Sequence, residues 1–178
     1  MKCSLALAGS LLLSAPVFAQ HAAPYAGMQA RPVSGLTEQQ VADLQAGRGM
    51  GLALPAELNG YPGPLHVIEL AEQLGLSPDQ LAGARRLFEA MKADAVPLGH
   101  RLIQQEAELD GLFAMKAVTP VSLGDATRRI GQTQAELREA HLKYHLAMLA
   151  VLSPDQVRRY GELRGYGTGA PAHGHRRH

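Results

Sequence analysis

Three side chains able to ligate a metal, His141, His145 and Met148, stand at i, i+4 and i+7 within the stretch Gln134 to Gln156. An α-helix turns about 100° per residue, so these positions share one face. Neutral imidazole suits copper, zinc, nickel and cobalt, whereas a thioether favours copper, Cu(I) in particular. Two histidines at this spacing can share one ion, but two or three ligands leave the shell incomplete. The further donors must come from His66, from a carboxylate such as Glu69, or from a partner chain. The competing reading is packing, with both imidazoles hydrogen-bonded across a helix interface and Met148 filling a gap. A second set, His173, His175 and His178, lies in a glycine-containing tail whose composition suits loose chelation. His100 stands alone on its helix and reads as exposed.

Other chemistries find little support. The serines beyond residue 19 are Ser34, Ser77, Ser122 and Ser153. Two of these read as helix caps, one lies in an arm and one in the first turn of a helix, and none is placed for a nucleophile, base and orienter. Glu106 and Asp110 are adjacent on a helix face, where solvation is the ordinary role of carboxylates. Gly47-Arg48-Gly49-Met50-Gly51 lacks the preceding strand and the Lys-Ser/Thr of a phosphate-binding loop and reads as a connector. The chain is therefore read as non-enzymatic, with a transition metal (Cu, Zn, Ni or Co) as its one expected cofactor.

The elements that must position the histidines follow from caps and spacing. Leu36-Thr37-Glu38-Gln39-Gln40 opens a short helix, with Thr37 as N-cap and Gln40 at N3, and that helix stops at Gly47. Asn59-Gly60-Tyr61-Pro62-Gly63-Pro64 is a dense turn signal that leads into a short helix from Leu65 to Leu74. Leu76-Ser77-Pro78-Asp79-Gln80 then repeats the entry pattern, with Ser77 as cap and Pro78 at N1. Apolar or small residues follow at Leu81, Ala84, Phe88, Met91, Ala95, Leu98, Leu102, Leu109 and Leu112, a seam at 3-4 spacing interrupted by Gln105, which predicts one long helix kinked at Pro97. Thr119-Pro120 begins a second long helix with a seam through Leu123, Ala126, Ile130, Thr133, Leu137, Ala140, Tyr144, Ala147 and Val151. Glu139 and Lys143 are expected to pair at i, i+4. Leu152-Ser153-Pro154-Asp155-Gln156 repeats the earlier segment and opens a last helix ending at Gly165. The connector between the two long helices is short enough to make them an antiparallel hairpin.

The predicted fold is all-α, a long antiparallel helical hairpin with short flanking helices, a flexible N-terminal arm and a C-terminal tail. Residues 1–19 read as a signal peptide, with Lys2 before an apolar run and Val17-Phe18-Ala19 as the cleavage signal. Residues 20–64 read as a flexible arm with one short helix and a Gly/Pro-rich connector, 65–165 as the hairpin domain and 166–178 as a disordered histidine-rich tail. The single cysteine, Cys3, leaves with the signal, which excludes disulfides and thiol chemistry from the mature chain. Loss of Lys2 also leaves basic and acidic side chains equal in number, a balance that does not support nucleic-acid binding. No stretch beyond the signal suits stable membrane insertion. The expected compartment is the periplasm.

Leu36-Thr37-Glu38-Gln39-Gln40 and the twin Leu-Ser-Pro-Asp-Gln segments resemble the Leu-Thr-x-x-Gln motifs of the Spy/CpxP family of periplasmic proteins, which includes zinc-resistance-associated proteins and periplasmic heavy-metal sensors. The resemblance covers Leu65 to Gly165. It implies a bent hairpin assembled as a homodimer, and work of two kinds: metal binding or sensing in the envelope stress response, or ATP-independent shielding of unfolded protein clients. Restraint of a membrane signalling protein on the same fold is a third. Aligned on the Leu152 motif, Met148 matches the methionine of the family's metal sensors, while Tyr144 stands where their histidine would be. The family's early histidine pair has at best His66 near its place, and the Gly47 to Pro64 insert has no counterpart.

Overall fold

A computed structural model describes residues 25–166 and contains helices without strands among them. After a 3₁₀ turn at Met28–Ala30, the helices are α1 (Glu38–Gln45), α2 (Leu54–Glu57), α3 (Pro64–Glu69), α4 (Pro78–Ala114), α5 (Pro120–Met148) and α6 (Pro154–Leu163). Residues 1–19, read as a signal peptide, and the tail histidines His173, His175 and His178 lie outside the described residues. The all-α hairpin expected from the seams is present, with α4 packed along α5.

The caps form as their residue types require. Thr37, Ser77, Thr119 and Ser153 each accept a hydrogen bond from the N3 backbone N–H, and the N3 side chain returns one from the cap residue's N–H. In the twin segments the N3 glutamine does a second job. Gln80 and Gln156 donate to each other's side-chain oxygens at 2.8 and 3.0 Å, and their amides also donate to the carbonyls of Val151 and Leu74. This reciprocal pair ties the start of α4 to the start of α6, so the repeated pentapeptides form one joint at the base of the hairpin.

Pro97 lies inside α4, which spans it as the one long helix expected. Several details depart from expectation. The helix expected over Leu65 to Leu74 stops at Glu69, after which turns carry the chain to Ser77. Lys143 reaches across the hairpin to Asp94 at 2.7 Å rather than along its own helix to Glu139. The segment read as an arm is laid against the hairpin: Leu44 of α1 is 2 % exposed and packs with Ala95, Leu102, Ile130 and Leu137. That approach explains Gly99. A Cβ there would stand 2.3 Å from the Leu44 carbonyl oxygen, so no larger residue fits without moving α1 off α4.

The seam of α5 also shifts near its end. Ala126, Ile130, Thr133, Leu137 and Ala140 are buried as expected, but from there the buried positions are His141, His145 and Met148, while Tyr144 and Ala147 are partly exposed. A straight helix of 3.6 residues per turn drifts about 20° per heptad from a 3.5-residue seam. The drift brings the histidine face round under α2 and α3, both of which pack on α5. Tyr144 turns toward α4 instead, its hydroxyl donating to Asp94 at 2.6 Å. Lys143 first and Tyr144 second hold the Asp94 carboxyl below its ordinary range.

Two apolar clusters result. One lies along the middle of the hairpin around Leu44, Ala95, Leu102, Ile130 and Leu137. The other sits at its base around Val67, Leu74, Ala84, Met148, Leu152 and Tyr160. On α5, His141 and His145 fall between them.

Candidate metal centre

Between the two clusters is a cavity of about 390 Å³. His141 and His145 of α5 and Met91 of α4 line it from the hairpin, and Met50, Glu57 and His66 line it from the segments that precede α4. The insert that sequence reasoning gave no place, Gly47 to Pro64, is therefore the outer wall. It is shaped for this by backbone turns. Gly47 adopts φ +66° at the end of α1, where Arg48 N–H reaches back to the Asp43 carbonyl at 2.8 Å in the manner of a Schellman cap.

His145 is 6 % exposed, and its Nδ1 lies 2.8 Å from the Tyr61 carbonyl oxygen. A carbonyl can only accept, so Nδ1 carries a proton, and Nε2 is the nitrogen that a neutral ring would offer to a metal. Metal-binding histidines are commonly oriented in this way, with the second nitrogen donating to a backbone carbonyl. The Nε2 side of the ring meets Gly63. A Cβ at Gly63 would stand 2.8 Å from His145 Cε1, 3.1 Å from its Nε2 and 2.8 Å from Glu57 Oε1, so glycine leaves the space in which the imidazole and the carboxylate face each other.

His141 is 2 % exposed, and its Nε2 is buried without a hydrogen-bond partner. An unsatisfied buried nitrogen costs on the order of 1–3 kcal/mol. Burial, and after it the neighbouring His145, pushes the His141 pKa below its ordinary value, so the ring is neutral at pH 7, the state in which it can ligate a metal. Its Nδ1 side lies against Gly49, where a Cβ would come within 3.6 Å.

Glu57 is 8 % exposed, and both its oxygens accept from the Tyr160 hydroxyl, at 2.9 and 2.7 Å. Burial and then this bond raise the Tyr160 pKa far above the usual phenol range, so the hydroxyl remains a donor. Arg164 also borders the cavity, with a buried Nε that has no partner and an Nη2 that donates to Tyr166 Oη at 3.1 Å.

The residues singled out from sequence separate into three groups. His141 and His145 come together on the cavity wall. His66 lies at the same cavity with its Nδ1 2.9 Å from Glu69 Oε2, so Glu69 engages His66. Met148 is fully buried in the basal cluster among Val67, Leu74, Ala84, Leu152 and Tyr160, and it does not line the cavity. His100 is exposed. Among the described residues, no three histidine, cysteine, aspartate or glutamate side chains converge into a group that could hold an ion by themselves. The donors that line the cavity are thus the imidazoles of His141 and His145, the Glu69-bonded His66, and two thioethers, Met91 on the hairpin wall and Met50 on the outer wall. Sequence reasoning placed Met91 on the α4 seam and passed over Met50 and Glu57. Nothing local marked these two, because their role depends on how a loop lies over a distant helix.

Two buried histidines line one cavity of an all-helical hairpin, and comparison with known families places that hairpin. Residues 62–159 match a family model described as heavy-metal resistance, more than half of the chain, and the protein belongs to that family, a branch of the Spy/CpxP-like helical periplasmic proteins. The family is not known as enzymatic, and its members are typically extracellular or periplasmic. No helix among the described residues is long and apolar enough to cross a membrane. No curated protein and no solved structure matches the chain. The family match begins at Pro62, so Met50 and Glu57 belong to a segment outside it.

Proposed function

We propose that the protein is a periplasmic, non-enzymatic metal-binding or metal-responsive envelope-stress protein of the Spy/CpxP type, which holds a transition metal through His141 and His145. The observation that carries this reading is the buried, unpartnered His141 Nε2. A nitrogen in that position is destabilising unless something fills its valence, and the His141 ring lines a cavity shared with His145, whose Nδ1 donates to the Tyr61 carbonyl. Membership of a heavy-metal resistance family supports the same reading.

The test is metal titration of the purified protein in a background where His173, His175 and His178 are alanine. One equivalent is expected to bind, and His141→Ala with His145→Ala should abolish it. Unchanged stoichiometry in the double variant refutes the site.

One observation favours a second reading, the shielding of unfolded clients. Phe113, Met115 and Val121 are exposed together around the bend of the hairpin, at 54, 72 and 74 %. A client-aggregation assay without ATP tests it, with absence of suppression at excess protein as the negative outcome.

A further inference from the structure

We infer that the cavity selects a soft monovalent cation, Cu(I) or Ag(I), over the divalent ions, with Met91 and Met50 supplying thioether donors beside His141 and His145. This rests on the metal-binding reading above and adds to it the class of ion and two ligands outside the histidine helix.

Three observations carry it. The first is donor chemistry. With no third imidazole or carboxylate converging on the histidine pair, the cavity lacks the three or four nitrogen and oxygen ligands that Zn(II), Ni(II) and Co(II) ordinarily take. What it offers beside the two imidazoles is sulfur: Met91, 7 % exposed, lines the cavity from the hairpin and Met50 lines it from the loop. Imidazole with thioether, in a site of low coordination number, suits a soft d¹⁰ monocation.

The second is charge. The ionisable groups that border the cavity besides its histidines are Glu57, Arg48 and Arg164. Glu57 is the one carboxylate among them, and its oxygens are already engaged by Tyr160. Arg48 is paired with Asp43, and Arg164 borders the same cavity. The cost of moving an ion out of water grows as the square of its charge, so a dication costs about four times as much as a monocation of equal size. The one negative charge a dication would meet here is Glu57, already bonded to Tyr160.

The third is the backbone at Met50. This residue has φ +44°, in the left-handed region that disfavours any side chain beyond glycine, and it stands between Gly49 and Gly51. A glycine would relieve the strain. Met50 nevertheless occupies this position and lines the cavity from it.

The experiment uses the full chain with the three tail histidines changed to alanine, under anaerobic reducing conditions. Cu(I) is titrated against a chromophoric chelator and Ag(I) by calorimetry, in parallel with Zn(II), Ni(II) and Co(II). Cu(I) and Ag(I) are expected to bind at least about 100-fold more tightly than any of the divalent ions. Met91→Leu and Met50→Leu, which keep an apolar side chain of similar size, should each weaken Cu(I) binding about tenfold or more and leave any residual divalent binding unchanged. Met50 is 41 % exposed, so its variant remains informative even if Met91→Leu disturbs folding. Divalent binding as tight as Cu(I) binding, or leucine variants with unaltered Cu(I) affinity, overturns the selectivity and leaves the histidine site standing. No binding of any ion removes both.

Discussion

His141 pays for its position with basicity. Its burial lowers the pKa relative to the ordinary histidine value of 6.5, so between the folded and unfolded pKa values the unfolded chain binds more protons than the folded one. Stability should therefore fall as pH drops below about 6.5, before the carboxylates begin to titrate. Urea unfolding between about pH 7 and 5, with metal chelated, measures this, and His141→Leu should flatten the slope. Gly63 tests the site with every donor left in place. Its φ of −85° suits alanine, so the effect of Gly63→Ala is steric alone, from a methyl group pressed between Glu57 and His145. Metal affinity should fall about tenfold or more, with about 1–3 kcal/mol of destabilisation in urea titrations. Wild-type affinity would mean that the Glu57 and His145 faces are not part of the site. That the two imidazoles share one helix face was legible from their spacing, whereas the orphaned Nε2 and the Tyr61 contact were not, since both involve atoms far away in sequence.

At the scale of elements, the base of the hairpin depends on two glutamines that sequence identifies only as capping residues. Each one closes its own capping box and also bonds the other across the joint. Removing either leaves the other amide part-buried and short of partners. Gln80→Ala and Gln156→Ala should each cost about 1–3 kcal/mol, and the double variant should cost less than their sum by about 0.5–3 kcal/mol. Additive losses in a double-mutant cycle would mean that the two act as independent caps. The start of each helix was legible because a cap is written in three or four adjacent residues. The α5 seam was legible as far as Ala140 and not beyond, because helical drift and the covering elements α2 and α3 decide which face is buried there. α2 itself, a single turn in a glycine-rich stretch, carries too few residues for a periodic signal.

Over the whole molecule, two apolar clusters are separated along α5 by a cavity whose walls come from both sides, the hairpin and the 47–64 segment. An ion bound there would join the two walls, and unfolding would have to release it. At free ion of about 100 times the dissociation constant, the native state should gain about 2.7 kcal/mol. The thermal midpoint should rise by about 5–10 °C for a chain of this size. The rise should vanish in His141→Ala with His145→Ala, whereas an equal rise in that variant would place the ion elsewhere.

The sequence by itself determined the helices, their caps, the hairpin and the pairing of two imidazoles on one helix face, because each of these is set by residues within a turn or two of one another. Tertiary structure alone decided what that face meets. It removed Met148 to the basal core, brought Met91, Met50 and Glu57 to the cavity that the histidines line, and left His141 Nε2 without a partner, since such arrangements join positions as much as 95 residues apart. Local spacing fixes the direction in which a side chain leaves its helix, and only the packing of distant segments fixes what lies there.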